Sequence, residues 1–164
     1  MRISKIYVDM DGVLCNFEKR YKELYGEIDD RDRRSSFRPN FSEFIATNQF
    51  ATLEPMPDFH TLKTYLDSLN IPKQILSSTA YEETFETISK QKIEWLHNAN
   101  VKWPDPIFVP GKRNKYKFAQ PDTIIVDDTW SVIEDWRNHN GIAIWHKDAI
   151  STINQLEMYV KSPK

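Results

Sequence analysis

Apolar residues along the chain fall into short runs of β type that alternate with longer stretches of helical spacing. Residues 3–8 are rich in β-branched and aromatic side chains and read as a strand, closed by a turn at Gly12. Phe17, Tyr21, Leu24 and Tyr25 then recur at helical spacing and predict a helix over 17–26. A short helix is expected over 41–46, after which Pro55 and Pro57 punctuate the chain. Leu62, Leu66 and Leu69 place a helix over 60–69. Residues 74–77 form a short strand, and 84–99 a long amphipathic helix carrying Phe85, Ile88, Ile93, Trp95 and Leu96. Another short strand is expected over 106–109, and at most a helical turn over 114–119. Residues 123–126 are apolar and β-branched, as in a strand buried on both faces. A helix over 130–138, a strand over 142–145 and a helix over 149–160 complete the pattern.

Short apolar strands alternating with helices predict an α/β fold, a three-layer Rossmann-like parallel sheet. Ligands of such sheets sit beyond the carboxyl ends of the strands, at a switch in strand order. Asp9, Ser77 and Asp127 each come at such an end, so three polar groups far apart in sequence should converge on one edge.

Composition narrows the picture. With 164 residues the chain fits one domain, with room for a small insertion. A net charge of −2 argues against a protein held to nucleic acid chiefly by phosphate neutralisation. The single cysteine, Cys15, cannot form an intrachain disulfide and reads as a small buried hydrophobe. No apolar run approaches the ~20 residues that span a bilayer. The N-terminus runs straight into the first strand, so the expected location is the cytoplasm, with no membrane partner. His60, His97, His139 and His146 lack metal-ligand spacing, and Trp136 and Trp145 read as core or interface.

Four stretches could carry chemistry. The first is Val8-Asp9-Met10-Asp11-Gly12-Val13-Leu14, in which two acids one residue apart follow a strand and Gly12 lets the backbone turn. Alone it could be a polar turn or the opening of a calcium loop, though the helical pattern after it argues against the loop. The second is Gln74-Ile75-Leu76-Ser77-Ser78-Thr79, whose hydroxyls and N–H groups could cradle a phosphate or simply make a turn. The third is the basic stretch Gly111-Lys112-Arg113-Asn114-Lys115-Tyr116-Lys117, which alone reads as solvated surface. The fourth is Ile124-Ile125-Val126-Asp127-Asp128. Paired acids ending a buried strand are costly unless a metal or a lysine answers them.

The order Asp-x-Asp, Ser/Thr, Lys, Asp-Asp resembles that of the haloacid dehalogenase-like (HAD-like) phosphohydrolase superfamily, over the whole chain. Within it, Asp9 to Glu18, the segment Phe50-Ala51-Thr52-Leu53-Glu54-Pro55-Met56-Pro57 and Lys92-Ile93-Glu94-Trp95-Leu96 are similar to the 5′(3′)-deoxyribonucleotidases. The resemblance implies that Asp9 attacks phosphorus and that Asp11 first protonates the leaving oxygen and then activates water. It implies Mg²⁺ held by Asp9, the Asp11 carbonyl and Asp127, with Asp128 behind them. Ser77 and the Ser78 N–H would hold phosphate oxygens, and Lys115, or alternatively Lys117, would neutralise charge.

The superfamily also allows a cap after the first strand. Residues 16–59 are long enough for a small helical cap, leaving 1–15 and 60–164 as the core. This segment holds Phe17, Tyr21, Tyr25, Phe37, Phe41, Phe44 and Phe50, most of them expected to be cap core. Phe17 matches a residue that stacks on the base in the deoxyribonucleotidases, worth ~1–3 kcal/mol. Phe37 with Arg38 is a second candidate, and Arg33, Arg34 and Arg38 could contact phosphate or sugar. The implied substrate is a small-molecule nucleotide, the (deoxy)nucleoside 5′-monophosphates. The alternatives are nucleic-acid ends or other small phosphate esters, and a nucleotide-binding protein without activity. Members of the family often dimerise, which allows a homodimer here.

Overall fold

The computed structural model describes residues 2–27 and 37–160. Five strands, β1 (Lys5–Val8), β2 (Lys73–Ser78), β3 (Ile107–Val109), β4 (Thr123–Asp127) and β5 (Ile142–Trp145), form one parallel sheet in the order β3-β2-β1-β4-β5. The chain builds outward from β1 to β3 on one side, then returns to lay β4 and β5 on the other. The reversal puts the topological switch between β1 and β4, so a crevice opens beyond Val8 and Asp127. In register, Val8 pairs with Ile75 of β2 and Val126 of β4.

Strand alternation sorts the core into two layers. Ile6, Val8, Ile124, Val126 and Ile144 face one way, toward Leu62 and Leu66 of α3 (Phe59–Ser68), Ile88 and Trp95 of α4 (Phe85–Asn98) and Leu156 of α6 (Ala149–Val160). Tyr7, Ile125 and Ala143 face the other way, toward Val132, Ile133 and Trp136 of α5 (Trp130–Asn138). Helices therefore cover both faces of the sheet, as predicted.

Between β1 and α3 the chain forms α1 (Phe17–Tyr25), α2 (Phe37–Ala46) and a 3₁₀ turn over Gln49–Thr52. Asn16 caps α1 by accepting from the Lys19 N–H at 3.2 Å. Two side chains of α4 tie this segment down. Gln91 donates to the Ile45 carbonyl at 2.8 Å and accepts from the Phe50 N–H at 3.2 Å, and the Trp95 indole donates to the Leu53 carbonyl at 2.7 Å.

Several expected boundaries shift. The first strand begins at Lys5, not at residue 3, and α2 begins at Phe37, not at residue 41. Pro39 sits in the first turn of α2, where its missing N–H costs no bond. Where at most one turn was expected, a 3₁₀ helix runs from Lys112 to Phe118. Trp136 is core, whereas Trp145 is partly exposed at the end of an edge strand. Arg33, Arg34 and the rest of the charge run over 29–34 lie outside the described residues, as do the side chains of Phe37 and Arg38. Among the described residues, no helix is long and apolar enough to cross a membrane.

Candidate active site

Asp9 leaves β1 with its N–H still bonded to the Val126 carbonyl at 3.0 Å, so the end of β4 fixes its backbone. The chain then turns tightly, with the Leu14 N–H bonded to the Met10 carbonyl at 2.8 Å and that of Gly12 to the Cys15 carbonyl at 2.9 Å. Gly12 is required twice. Its φ is +82°, and a Cβ there would lie 2.0 Å from Asp128 Oδ2. The turn therefore packs the first acid pair against the second.

Lys115 projects from the 3₁₀ helix into this pair of strand ends. Its Nζ donates to Asp9 Oδ1 at 2.9 Å and to Asp127 Oδ2 at 2.7 Å, with all three side chains buried. Burial alone would lower the Lys115 pKa, but Asp127 and Asp9 outweigh it and raise the value above that of a free lysine. Lys117 is exposed, so the structure places Lys115, not Lys117, among the acids. Asp127 Oδ1 accepts from the Thr129 N–H at 2.9 Å, which orients its carboxylate at the start of α5.

Carboxylate oxygens of Asp9, Asp127 and Asp128 lie within 4.8 Å of one another. The Asp128 carboxylate, expected behind the metal ligands, lies close to the other two. Asp128 is exposed as a residue, but its carboxyl is tucked against Gly12 and Asp127. Desolvation, with the Asp127 charge adding to it, pushes its pKa to about 6. Burial and the Asp127 charge also raise the Asp9 pKa well above the carboxylate range, with Lys115 opposing only in part. Such shifts mark a site short of positive charge. Four carboxylates, Asp9, Asp11, Asp127 and Asp128, face two ammonium groups, Lys115 and Lys92. The deficit equals one divalent cation, and hard oxygen donors suit magnesium.

Lys92 is the site residue that sequence reasoning missed. Its Nζ donates to Asp11 Oδ2 at 3.0 Å, Ser77 Oγ at 2.6 Å and the Ser78 carbonyl at 2.8 Å, and the residue is 1% exposed. A signal was present. Ile88, Lys92, Trp95 and Leu96 share one helical face, and a lysine at a core position of an amphipathic helix is rarely buried unless paired. Asp11 is thus held on both oxygens, since Oδ1 also accepts from the Cys15 thiol at 3.3 Å. Cys15 is buried as expected, and burial pushes its pKa well up, so it stays a thiol.

At the end of β2, Ser77 is fully buried and its Oγ accepts from Lys92, while Ser78 Oγ accepts from the Ala80 N–H at 3.1 Å. Beside them lies a cavity of about 160 Å³ lined by Asp11, Phe17, Phe41, Phe50, Ser78 and Thr79, among others. Phe17 is half-buried there and stacks on Phe50, with ring centroids 5.5 Å apart and planes 8° from parallel. Tyr21, Phe41, Phe44 and Phe50 are buried, in keeping with an aromatic core. Larger hollows of about 600 Å³ along α6 and 410 Å³ beside Trp95 are lined by none of Asp9, Asp11, Asp127 and Asp128, so size does not locate the chemistry. His146 is buried with Nδ1 against Thr152 Oγ1 at 2.7 Å.

The sequence matches no protein-family model and no curated protein. Solved structures do match. A hydrolase from Streptococcus pneumoniae shares 13% identity over 96% of this chain and 100% of its own, with a TM-score of 0.57. A Bacillus subtilis protein assigned to the HAD hydrolases and bound to magnesium shares 12% identity over 98% and 99%, with a TM-score of 0.59. A Thermotoga maritima protein assigned as a beta-phosphoglucomutase shares 14% identity over 93% and 91%, with a TM-score of 0.52. At these identities the likeness establishes the fold, which is that of the HAD-like hydrolases.

Proposed function

We propose that the chain is a Mg²⁺-dependent phosphatase that hydrolyses (deoxy)nucleoside 5′-monophosphates to nucleoside and phosphate through an aspartyl-phosphate. One observation carries the reading: Asp9 and Asp127 converge on Lys115 at the switch point of a HAD-like sheet, with Asp11 and Ser77 alongside. In this reading residues 16–59 act as a small cap over a core of 1–15 and 60–164.

The donor set fits magnesium. Asp9, Asp127 and the Asp11 carbonyl would hold it, with the Asp128 carboxylate beside them. When bound, magnesium offsets negative charge on the phosphoryl group and on Asp9. In the first step an Asp9 carboxylate oxygen bonds to phosphorus, the bond from phosphorus to the nucleoside oxygen breaks, and Asp11 gives that oxygen its proton. In the second, Asp11 takes a proton from water, whose oxygen bonds to phosphorus and releases Asp9. Lys115 fixes the Asp9 carboxylate and balances charge as the phosphoryl group passes. The Ser77 hydroxyl and the Ser78 N–H receive phosphate oxygens.

Substrate preference rests on the aromatic cavity. At about 160 Å³ it is smaller than a whole-ligand site, so it takes one ring of the leaving group, with Phe17 as the stacking face. Phosphate release should be followed over a panel of deoxyribonucleoside and ribonucleoside 5′-monophosphates with Mg²⁺. Release from these, in preference to sugar phosphates, is expected. Release from sugar phosphates alone, or from oligonucleotide 5′ ends alone, would overturn the substrate assignment while leaving the chemistry standing.

A further inference from the structure

Lys92 lies on neither acid-bearing strand, nor on the 3₁₀ helix that carries Lys115, yet it touches both halves of the site. Its three N–H bonds are all committed, to Asp11 of the first turn and to Ser77 and Ser78 of β2. Three tetrahedral donors with three acceptors leave the ammonium little freedom. The Phe50 ring lies under it, with its centroid 5.3 Å from Nζ, and Trp95 one turn on anchors the same helix to Leu53. The stem of Lys92 therefore cannot swing, and what it holds is held in place.

We infer that Lys92 is a positioning residue that sets the Asp11 carboxyl relative to the phosphate cradle at Ser77 and Ser78. This rests on the phosphatase reading above. Asp11 leaves β1 on a tight turn and is about one-third exposed, so its side chain would have several orientations without a fixed partner. Cys15 supplies only a weak thiol donor. Lys92 supplies a charged bond at 3.0 Å and ties Asp11 through one nitrogen to the strand end that meets the phosphate. Proton delivery to the leaving oxygen needs Asp11 within hydrogen-bond reach of that oxygen while Ser77 and Ser78 hold the phosphoryl group. A lysine bonded to both fixes that relation before substrate arrives. Lys115 serves the nucleophile and Lys92 serves the proton carrier.

The test separates proton delivery from general damage. p-Nitrophenyl phosphate needs little protonation of its leaving group, whereas an alkyl phosphate such as β-glycerophosphate or a nucleoside monophosphate needs it fully. Because Asp11 also activates water in the second step, the leaving group is followed in a single turnover, where only the first step counts. Lys92→Met should lose about 100-fold in that rate on the alkyl ester and far less on p-nitrophenyl phosphate, within the range that general acid catalysis supplies. Asp11→Asn should show the same skew, and the double variant should be no worse than Asp11→Asn alone. Lys92→Gln, which keeps a donor, provides the comparison should Lys92→Met fail to fold, and should fall between wild type and Lys92→Met. Equal losses on both esters, or additive losses in the double variant, would overturn the positioning role. Wild type that cleaves p-nitrophenyl and alkyl phosphates but no nucleotide would overturn only the substrate assignment. Wild type inert toward every ester would overturn the phosphatase reading and this role together.

Discussion

At the scale of residues, the site is a charge problem solved locally. Lys115 sits between two carboxylates that would otherwise repel, and removing one partner of such a buried set costs about 3–5 kcal/mol. Lys115→Ala should therefore lower stability and cut phosphate release by about 100-fold or more, whereas Lys117→Ala, at an exposed position, should leave both near wild type. Thermal melts and turnover on one substrate check this, and the reverse ranking would contradict the placement. Asp9, Asp11, Ser77 and Asp127 were legible because each lies at or just past a strand end, and strand ends in a parallel sheet share an edge. Lys92 was not, because nothing in a helical pattern says which distant carboxylate a buried cation will meet. The choice between Lys115 and Lys117 was legible only as a choice. Residues two apart point to different sides of a tight helix, and the sequence does not say which side faces the sheet.

At the scale of elements, periodicity located the strands and α-helices of the described residues, and the misses are their ends and one 3₁₀ turn. β2 gains Lys73 and Ser78, and β4 gains Asp127, because parallel pairing extends past the apolar run that marks a strand in sequence. The 3₁₀ turn over Gln49–Thr52 had no apolar signature of its own. It follows Asn48, whose φ is +60°, and is held by Gln91 from another helix. These elements shape the aromatic cavity, and α1 contributes Phe17 to it. Phe17→Ala should raise KM for nucleoside monophosphates roughly 5- to 150-fold, the equivalent of ~1–3 kcal/mol of stacking, with little change in inhibition by inorganic phosphate. A KM unchanged for nucleotides would show that the base sits elsewhere.

At the scale of the whole molecule, the strand order β3-β2-β1-β4-β5 brings Asp9 and Asp127, 118 residues apart in sequence, to one crevice. The convergence was legible from the strand ends, but the pairing of β1 with β4 was not, since register depends on contacts between distant runs. The assembled acids make stability depend on metal and pH together. The Asp128 pKa, raised to about 6 in the folded protein, means that the folded form keeps its proton to higher pH than the unfolded chain does. Without metal, this contribution to stability is present at low pH and is lost as pH rises through about 6. Magnesium needs the deprotonated acids, so its stabilisation should appear above that pH and fade below it. At 100 times Kd the gain is about 2.7 kcal/mol. Melting curves with and without Mg²⁺ at pH 5 and pH 8 should show a shift only at pH 8, and an equal shift at both would contradict the charge balance proposed here.

Asp9 carries the central claim, because every other group in the site is placed with respect to it. The most direct test is phosphate release by wild type and Asp9→Asn at saturating Mg²⁺, on p-nitrophenyl phosphate and on a nucleoside 5′-monophosphate. Asn keeps the shape and the Lys115 contact but removes the nucleophilic carboxylate. Release by wild type from both esters, and loss of about three orders of magnitude or more from both in Asp9→Asn, is the predicted result. Turnover that survives Asp9→Asn on either ester would contradict an aspartyl-phosphate at this position.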